Sequence, residues 1–305
     1  MEDITIKLAQ ILLPIIILIG FIGNSLNILI LTRSTLKKHA CSHYFLSLAS
    51  NNLIYSFVLI HYFLANRYNI NGQLFSLVSC KILTFLNNLC SLLSPYFIVL
   101  ASIDRYFASS SNVHMRQWST KRIARRLILL TVLSCTLISI HDLILTDLRP
   151  DIYGCSLPSN TNYNKFFIIF RIILYTSVPP CLMIIFGLLT IYNTTRSQIN
   201  RQVTVRYRRT ESQLLRILLV QVITYIILNM PLSIIYLMLS LPTGYIPTSK
   251  LFFAFRLVSF PFHFSFATPF FLYILSSSIY KEELIQLIFK LLHRRQIHPI
   301  RNLFH

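Results

Sequence analysis

Long stretches without a single Asp, Glu, Lys or Arg recur along this chain of 305 residues, and they constrain its fold more than any motif does. Residues 8–32 form one such stretch, 40–66, 82–103, 172–195, 217–249 and 257–280 form others, and 127–146 is interrupted only by Asp142. An α-helix needs ~20 apolar residues to cross the hydrocarbon of a bilayer, and it satisfies its own backbone there. The pattern predicts an all-α membrane protein, a seven-transmembrane helix bundle with spans at approximately 8–32, 42–65, 80–107, 124–146, 166–194, 211–240 and 250–277. Pro14, Pro95, Pro179, Pro180, Pro231 and Pro269 fall inside these spans. They are tolerable where a neighbouring helix or a Ser/Thr group takes up the freed carbonyl.

A soluble domain carries about 25% charged residues. This chain carries 12% and is 54% hydrophobic, which argues against a surface bathed in water all round. Its formal charge of +19 does not point to nucleic acid, because the basic residues sit in short clusters with no polar domain to carry them. Arg33, Lys37 and Lys38 follow span 1, and Arg105, Arg116, Lys121, Arg122, Arg125 and Arg126 lie between spans 3 and 4. Arg196, Arg201, Arg206, Arg208, Arg209 and Arg216 lie between spans 5 and 6, and Lys281, Lys290, Arg294, Arg295 and Arg301 follow span 7. These clusters hold 20 of the 28 basic residues on one side of an odd-numbered topology. The positive-inside rule then places the N-terminus outside and the C-terminus in the cytoplasm of a multi-pass protein, with the plasma membrane as its expected location. Span 1 is expected to act as its own insertion signal. The loops are short and no internal repeat stands out, so residues 1–305 read as a single domain. The Asn193 sequon falls on the cytoplasmic side, out of reach of glycosylation.

Two features of this topology invite chemistry. Cys80 opens span 3 and Cys155 lies between spans 4 and 5, both on the oxidising side. A bridge there would tie the loop over the bundle's mouth, and two free thiols are the alternative. Cys90, Cys135 and Cys181 fall mid-span and read as small packing residues, with Cys41 at the opposite edge. Asp104 and Arg105 stand side by side at the inner end of span 3. Such a pair is either a boundary anchor or half of a clasp, since Arg105 can also reach Glu211, the acid at the inner start of span 6.

"GNSLNILIL" (23–31), "LSLASNN" (46–52), Cys80 at 25 residues before Arg105, "DRY" (104–106), Cys155 and "TPFFLY" (268–273) occur in this order along the spans. Together they resemble the rhodopsin-like G-protein-coupled receptors over nearly the whole chain. The resemblance implies that Asn24 is the span-1 landmark and that Cys80 and Cys155 are bridged. It makes Asp104, Arg105 and Tyr106, with Glu211, the switch that faces a heterotrimeric G protein. Glu211 stands 20 residues before Pro231, where the family keeps its span-6 lock acid.

The departures fall on the family's internal relay, here Asn24, Asn52, Ser94, Asn229, Pro231, Pro269 and Tyr273. Asn52 replaces the sodium-binding aspartate, with Ser94 still at a supporting position, so sodium modulation is expected to be weak or absent. "LNMP" (228–231) puts Asn229 where the toggle tryptophan belongs. Aligning span 7 on Tyr273 puts Pro269 at the place of the family's asparagine and Phe270 at that of its proline. Seven residues past Cys80 is Asn87, at a family ligand-contact position. An aspartate is missing there, which argues against a monoamine ligand. His263 stands about where the retinal lysine of a light receptor would be. Lys81, Arg171 and Arg256 lie near outer ends, with Asn87, Asn88 and His141. If the cations converge, they suit an acidic group or the carboxylate of a short peptide, whereas snorkelling to headgroups is the alternative at a helix end.

After span 7, "IYKEELIQLIFKLLHRR" (279–295) places Leu284, Leu287, Ile288, Leu291 and Leu292 at helical spacing. It reads as a short amphipathic interfacial helix over 279–293. Membrane lipid and a G protein are the partners expected on this side, an extracellular ligand on the other, and no cofactor, metal or nucleic acid. A ligand-binding decoy with weak coupling is the alternative within the receptor class. A transporter is more distant, because the spans are almost bare of acids. An intramembrane enzyme finds no catalytic motif: no His-Glu-x-x-His or Gly-x-Ser-x-Gly segment occurs.

Overall fold

The computed structural model describes residues 2–68, 70, 76–148, 155–156, 166, 169–197, 205–240 and 249–292. Span 1 is Glu2–Leu31, span 2 Ala40–Tyr68, span 3 Leu77–Ser109 and span 4 Lys121–Leu145. Span 5 is described from residue 169 and runs through a π-helical turn, Ile172–Ser177, into the α-helix Val178–Ser197. Span 6 is Val205–Ser240. Among the described residues six helices are long and apolar enough to cross a membrane, and the bent pair at span 7, counted as one span, brings the number to seven. Several helices overrun the charge-free stretches by about a turn, since flanking Lys and Arg can stay helical while their heads reach water.

Local chemistry sets the ends. Ser76 caps span 3 by accepting from Ser79 N (3.1 Å), and Ser79 Oγ accepts from Ser76 N (3.2 Å), a reciprocal box that satisfies two orphan donors. Thr120 caps span 4 by accepting from Ile123 N at 3.4 Å. Two-residue strands, Asp147–Leu148 and Cys155–Ser156, pair antiparallel beside the end of span 4. A four-residue helix, Val113–Arg116, bridges spans 3 and 4.

Span 5 shows how paired prolines are absorbed. In the π register Val178 N–H reaches back five residues to Ile173 O. Pro179 and Pro180 have no N–H, so Leu174 O and Tyr175 O lose their counterparts in that register. Tyr96 OH of span 3 donates to Leu174 O (3.3 Å) and Tyr225 OH of span 6 to Tyr175 O (3.4 Å). Downstream of this turn Cys181 shares an outward face with Ile184, Ile185 and Leu188 and is exposed, not packed inside as its mid-span position suggested. Cys41, Cys90 and Cys135 are buried.

Span 7 departs from the single helix expected over 250–277. It is two helices, Ser249–Ser265 and Pro269–Ser276, bent by 52°. Pro269 starts the second helix, where its missing N–H costs nothing. The break exposes Phe266 O, and Asn24 of span 1 donates to it from Nδ2 at 3.0 Å and to Gly20 O at 2.8 Å. Gly23 lets span 1 come this close: a Cβ there would meet Phe270 Cβ at 2.9 Å.

The core runs along spans 2, 3 and 6 through Leu48, Leu92, Phe97, Ile98 and Leu218, and reaches Tyr273 and Tyr280. A second cluster holds Ile16, Tyr55, Leu59 and Phe266, with the Tyr55 and Phe266 rings stacked at 3.7 Å. Span 4 leaves Leu129, Leu130, Leu133, Leu137, Ile140 and Ile144 exposed, a face suited to lipid. The terminal helix, Ser278–Leu292, packs Leu284 and Leu287 against the bundle and leaves Ile285, Ile288 and Phe289 exposed. The side chains of Leu291 and Leu292 lie outside the described residues.

Candidate functional site

At one end of the bundle the structure carries a disulfide between Cys80 and Cys155, with Cα atoms 5.7 Å apart. It ties the short strand pair to the start of span 3, and Thr84 Oγ1 lies 3.3 Å from Cys155 Sγ. Beneath it spans 3, 4 and 5 are joined by a polar chain. Arg171 donates from Nη2 to Asn88 Oδ1 at 2.7 Å, and Asn88 donates from Nδ2 to Asp142 Oδ2 at 2.9 Å. Tyr175 OH donates to Asn88 O at 3.0 Å. The Arg171 guanidinium lies over the rings of Tyr175 and Tyr236, 5.2 and 5.5 Å from their centroids, a cation–π arrangement that orients it. Asp142 is 1% exposed, and His141 Nε2 approaches its other oxygen at 3.2 Å, within ion-pair range but not aligned as a hydrogen bond.

This chain gathers Asn88 and Arg171, and adds Asp142, Tyr175 and Tyr236, which sequence reasoning had not joined to them. The lone acid in an apolar stretch was the available signal for Asp142, but it named no partner. Lys81 instead donates from Nζ to Ile144 O at 3.4 Å, at the end of span 4. Arg256 is exposed on span 7. Asn87 is half-buried, with an enclosed Oδ1 that has no hydrogen-bond partner among the described residues. His263 Nδ1 pairs with Tyr55 OH at 2.8 Å, beside the Tyr62 ring at 5.8 Å.

Midway down the bundle a small cavity is lined by Asn52, Ser94, Gln221, Asn229 and Thr268 among others. Ser94 Oγ donates to Asn52 Oδ1 (2.8 Å) and accepts from Asn51 Nδ2 (2.9 Å), and Asn51 Nδ2 also donates to Cys90 O (2.9 Å). Asn229, two residues before Pro231, turns its Nδ2 to Tyr225 O at 2.7 Å. Among the described residues no carboxylate lines this cavity, and its polarity comes from amides and hydroxyls. It is also separate from Arg171, Asn88 and His263, which do not line it. Tyr273 lies apart from it, packed between Phe45 (5.3 Å) and Tyr280 (5.6 Å).

At the opposite end Arg105 donates from Nη2 to Asp104 Oδ2 at 2.7 Å, and both side chains are under 5% exposed. Ser119, in the connection to span 4, donates to Asp104 Oδ1 at 2.8 Å. Tyr106 is half-buried against Phe186 of span 5, ring to ring 5.7 Å. The side chain of Glu211 lies outside the described residues. Gln213, two positions on, is described and joins span 6 to the terminal helix. Its Nε2 donates to Ser278 Oγ (2.7 Å), and its Oε1 accepts from Ser277 Oγ (2.7 Å) and from Ile279 N (3.0 Å). Span 6 thus supplies a cap for the first turn of the terminal helix. The same helix is held to span 1 by Tyr280 OH donating to Asn27 Oδ1, and to the turn after span 1 by Glu283 paired with Arg33. Burial pushes the Tyr280 phenol above its ordinary range, so it remains a donor.

Comparison with known proteins adds a lineage to this geometry. The family model described as 7 transmembrane receptor (rhodopsin family) matches residues 23–269. The somatostatin receptor type 4 of Rattus norvegicus is 24% identical over 234 residues, which make up 75% of this chain. The chain spans 60% of the length of that receptor.

Proposed function

From the premise that this chain belongs to the rhodopsin family of seven-transmembrane receptors, we propose that it is a cell-surface receptor for a peptide and signals to a heterotrimeric G protein. The disulfide end faces outward and the Asp104–Arg105 end faces the cytoplasm. The distribution of Lys and Arg supports this orientation. A relative named as a somatostatin receptor supports a peptide as the ligand class.

The observation that carries the reading is the half-buried Arg171. Its side chain has one hydrogen bond among the described residues, to Asn88, and two aromatic faces hold it in place. The remaining guanidinium N–H groups have no other acceptor among the described residues, and the planar fork suits donation to a carboxylate or a peptide carbonyl. At the other end the buried Asp104–Arg105 pair, with Glu211 of span 6 as a further restraint, is the two-state element a ligand would bias. Asn24, Asn52, Ser94, Asn229, Pro231, Pro269 and Tyr273 connect the two ends.

A peptide library applied to cells expressing the chain, read out as G-protein dissociation, tests the whole reading. Arg171→Ala is expected to lower agonist potency at unchanged surface expression. Arg256→Ala, on the exposed rim, should do less. Unchanged potency in both variants and in their combination would remove these residues from the pocket. Epitope tags at the two termini of intact cells test the orientation, which fails if the C-terminal tag is stained without permeabilisation. Binding with no G-protein dissociation would favour a decoy, a reading to which Asn229 in the toggle position lends some support.

A further inference from the structure

We propose that His141 and Asp142, at the disulfide end of span 4, form a binding site for one proton, held between them as an anchor of the polar chain to Arg171. The site goes beyond the receptor reading and depends on no ligand. A count of hydrogens carries it. His141 Nδ1 lies 2.6 Å from Ile138 O. A carbonyl only accepts, so Nδ1 keeps its hydrogen, and a neutral imidazole then has Nε2 as a bare lone pair. Nε2 stands 3.2 Å from Asp142 Oδ1, and both atoms are enclosed from solvent. Asp142 Oδ2 is engaged by Asn88 Nδ2 at 2.9 Å, while Oδ1 accepts no hydrogen bond among the described residues.

A bare nitrogen facing a carboxylate oxygen opposes two buried lone pairs, and leaving such an acceptor unsatisfied is costly. One added proton satisfies both atoms. Whether it is written on the ring or on the carboxyl is immaterial, because the count belongs to the pair. The separation already lies within the range of a nitrogen–oxygen hydrogen bond, so a small rotation aligns it. The neighbouring helices present other groups. Span 5 brings Arg171, bound to Asn88 Oδ1, and Tyr175, whose hydroxyl donates to Asn88 O. Tyr236 of span 6 lies against the Arg171 guanidinium. Span 3 brings Lys81, which donates to Ile144 O. The outer half of span 2 carries His61, turned to Val58 O, and Tyr62, whose ring lies 3.9 Å from that of His61. Asp147, past span 4, accepts from Leu148 N. Among the described residues none of these donates to Asp142 Oδ1. Arg171 and Lys81 oppose an added positive charge from beyond Asn88 and Ile144, whereas Asp142 offsets it at 3.2 Å.

The proton has a structural consequence because Asp142 works with both oxygens. When the proton leaves, repulsion from Nε2 turns the carboxylate away from the orientation that accepts from Asn88, and Asn88 in turn holds Arg171. The sign of the pH dependence follows from the count. A free imidazole keeps its extra proton only below about pH 6.5, and a free Asp carboxyl only below about pH 3.9. Above about pH 6.5 the folded pair holds a proton that the unfolded chain has released. Stability therefore falls as pH rises through that window, by up to about tenfold in the folding equilibrium constant per pH unit.

The purified full chain in detergent tests this with no ligand present. Its thermal midpoint is followed from about pH 6 to about pH 8 and is expected to fall. His141→Gln and Asp142→Asn should each flatten that fall to the same extent, and the two together no further, because each removes the same shared proton. Asp142→Asn keeps an acceptor for Asn88 and offers its own N–H to Nε2, so the fold is retained. His114→Gln, exposed in the short helix at the opposite end, should leave the fall as in the wild type. A fall undiminished in both variants would put the proton elsewhere among the nine histidines and overturn the proposal. A fall lost in His141→Gln alone would overturn it too, since the ring would then titrate without Asp142. Histidine-selective 15N NMR of the wild type, with His141 assigned through its backbone, gives a reading that needs no variant. A proton or hydrogen bond on Nε2 is expected at about pH 7, and a bare Nε2 there sinks the site. Any of these failures leaves the receptor reading standing, because neither ligand nor G protein enters the measurement.

Discussion

Arg105 and Arg171 both lie within the bundle, near opposite ends, and they are held in opposite ways. Arg105 takes its counter-charge from the preceding residue of its own helix, at 2.7 Å and nearly out of contact with solvent. Arg171 has its carboxylate on span 4 and reaches it through the amide of Asn88 on span 3. A pair made within one helix does not by itself register where the neighbouring helices stand. A chain across three helices exists only while all three keep their places, so it registers their relative position. The first arrangement suits a residue that must wait in one state; the second suits a place where an arriving group has to be felt.

Breaking each arrangement should give graded effects. Asp104→Ala leaves Arg105 buried beside no local carboxylate and is expected to cost about 3 kcal/mol, read as a lower thermal midpoint of the purified protein. An unchanged midpoint would mean that the local pair is not what holds Arg105. Asp142→Asn keeps an acceptor for Asn88 and removes only charge, so about 1.5 kcal/mol is expected. The sharper measurement is a double-mutant cycle between Asp142→Asn and Arg171→Gln. Its coupling, about 1 kcal/mol, should vanish when Asn88→Leu removes the relay. Coupling that survives would mean the two charges interact directly. Gln213→Ala should cost about 1 kcal/mol and raise ligand-independent nucleotide exchange on an added G protein, because it frees span 6 from the terminal helix without touching Arg105. Ser119→Ala, which removes one hydrogen bond to Asp104 and no charge, should cost only about 0.5 kcal/mol, and a larger loss would place part of the clasp in the span 3–4 connection.

Much of the architecture was legible because hydrocarbon tolerates so few alternatives. A stretch such as 8–32 has to cross, and basic clusters have to gather on one side. Asp104 and Arg105 are adjacent in the chain, so their pairing could be read directly. Asp142 could be seen as an anomaly but not assigned, because its partners come from spans 3 and 5 and no spacing along the chain encodes them. Span 7 misled for a related reason. Pro269 looked like one more tolerated proline, yet whether a proline is absorbed or starts a new helix depends on what receives the freed carbonyls. In span 5 Tyr96 and Tyr225 receive them beside a π turn, whereas in span 7 Thr268 Oγ1 takes Ser265 O, Asn24 takes Phe266 O at the break, and the helix bends by 52°. Gln213 gave no signal in the sequence: a glutamine in the first turns of a span is ordinary until three hydrogen bonds converge on it.

The cap that Gln213 places on the terminal helix carries a thermodynamic obligation. If displacing span 6 uncaps Ser277 and Ile279, then anything that steadies the terminal helix in its capped form must, by reciprocity, oppose that displacement by the same free energy. Asn27 of span 1 and Arg33 just past it, which grip that helix, would then share in the displacement equilibrium of span 6. A protein or membrane surface that pulls the terminal helix away would, by the same reciprocity, lower the work of displacing span 6.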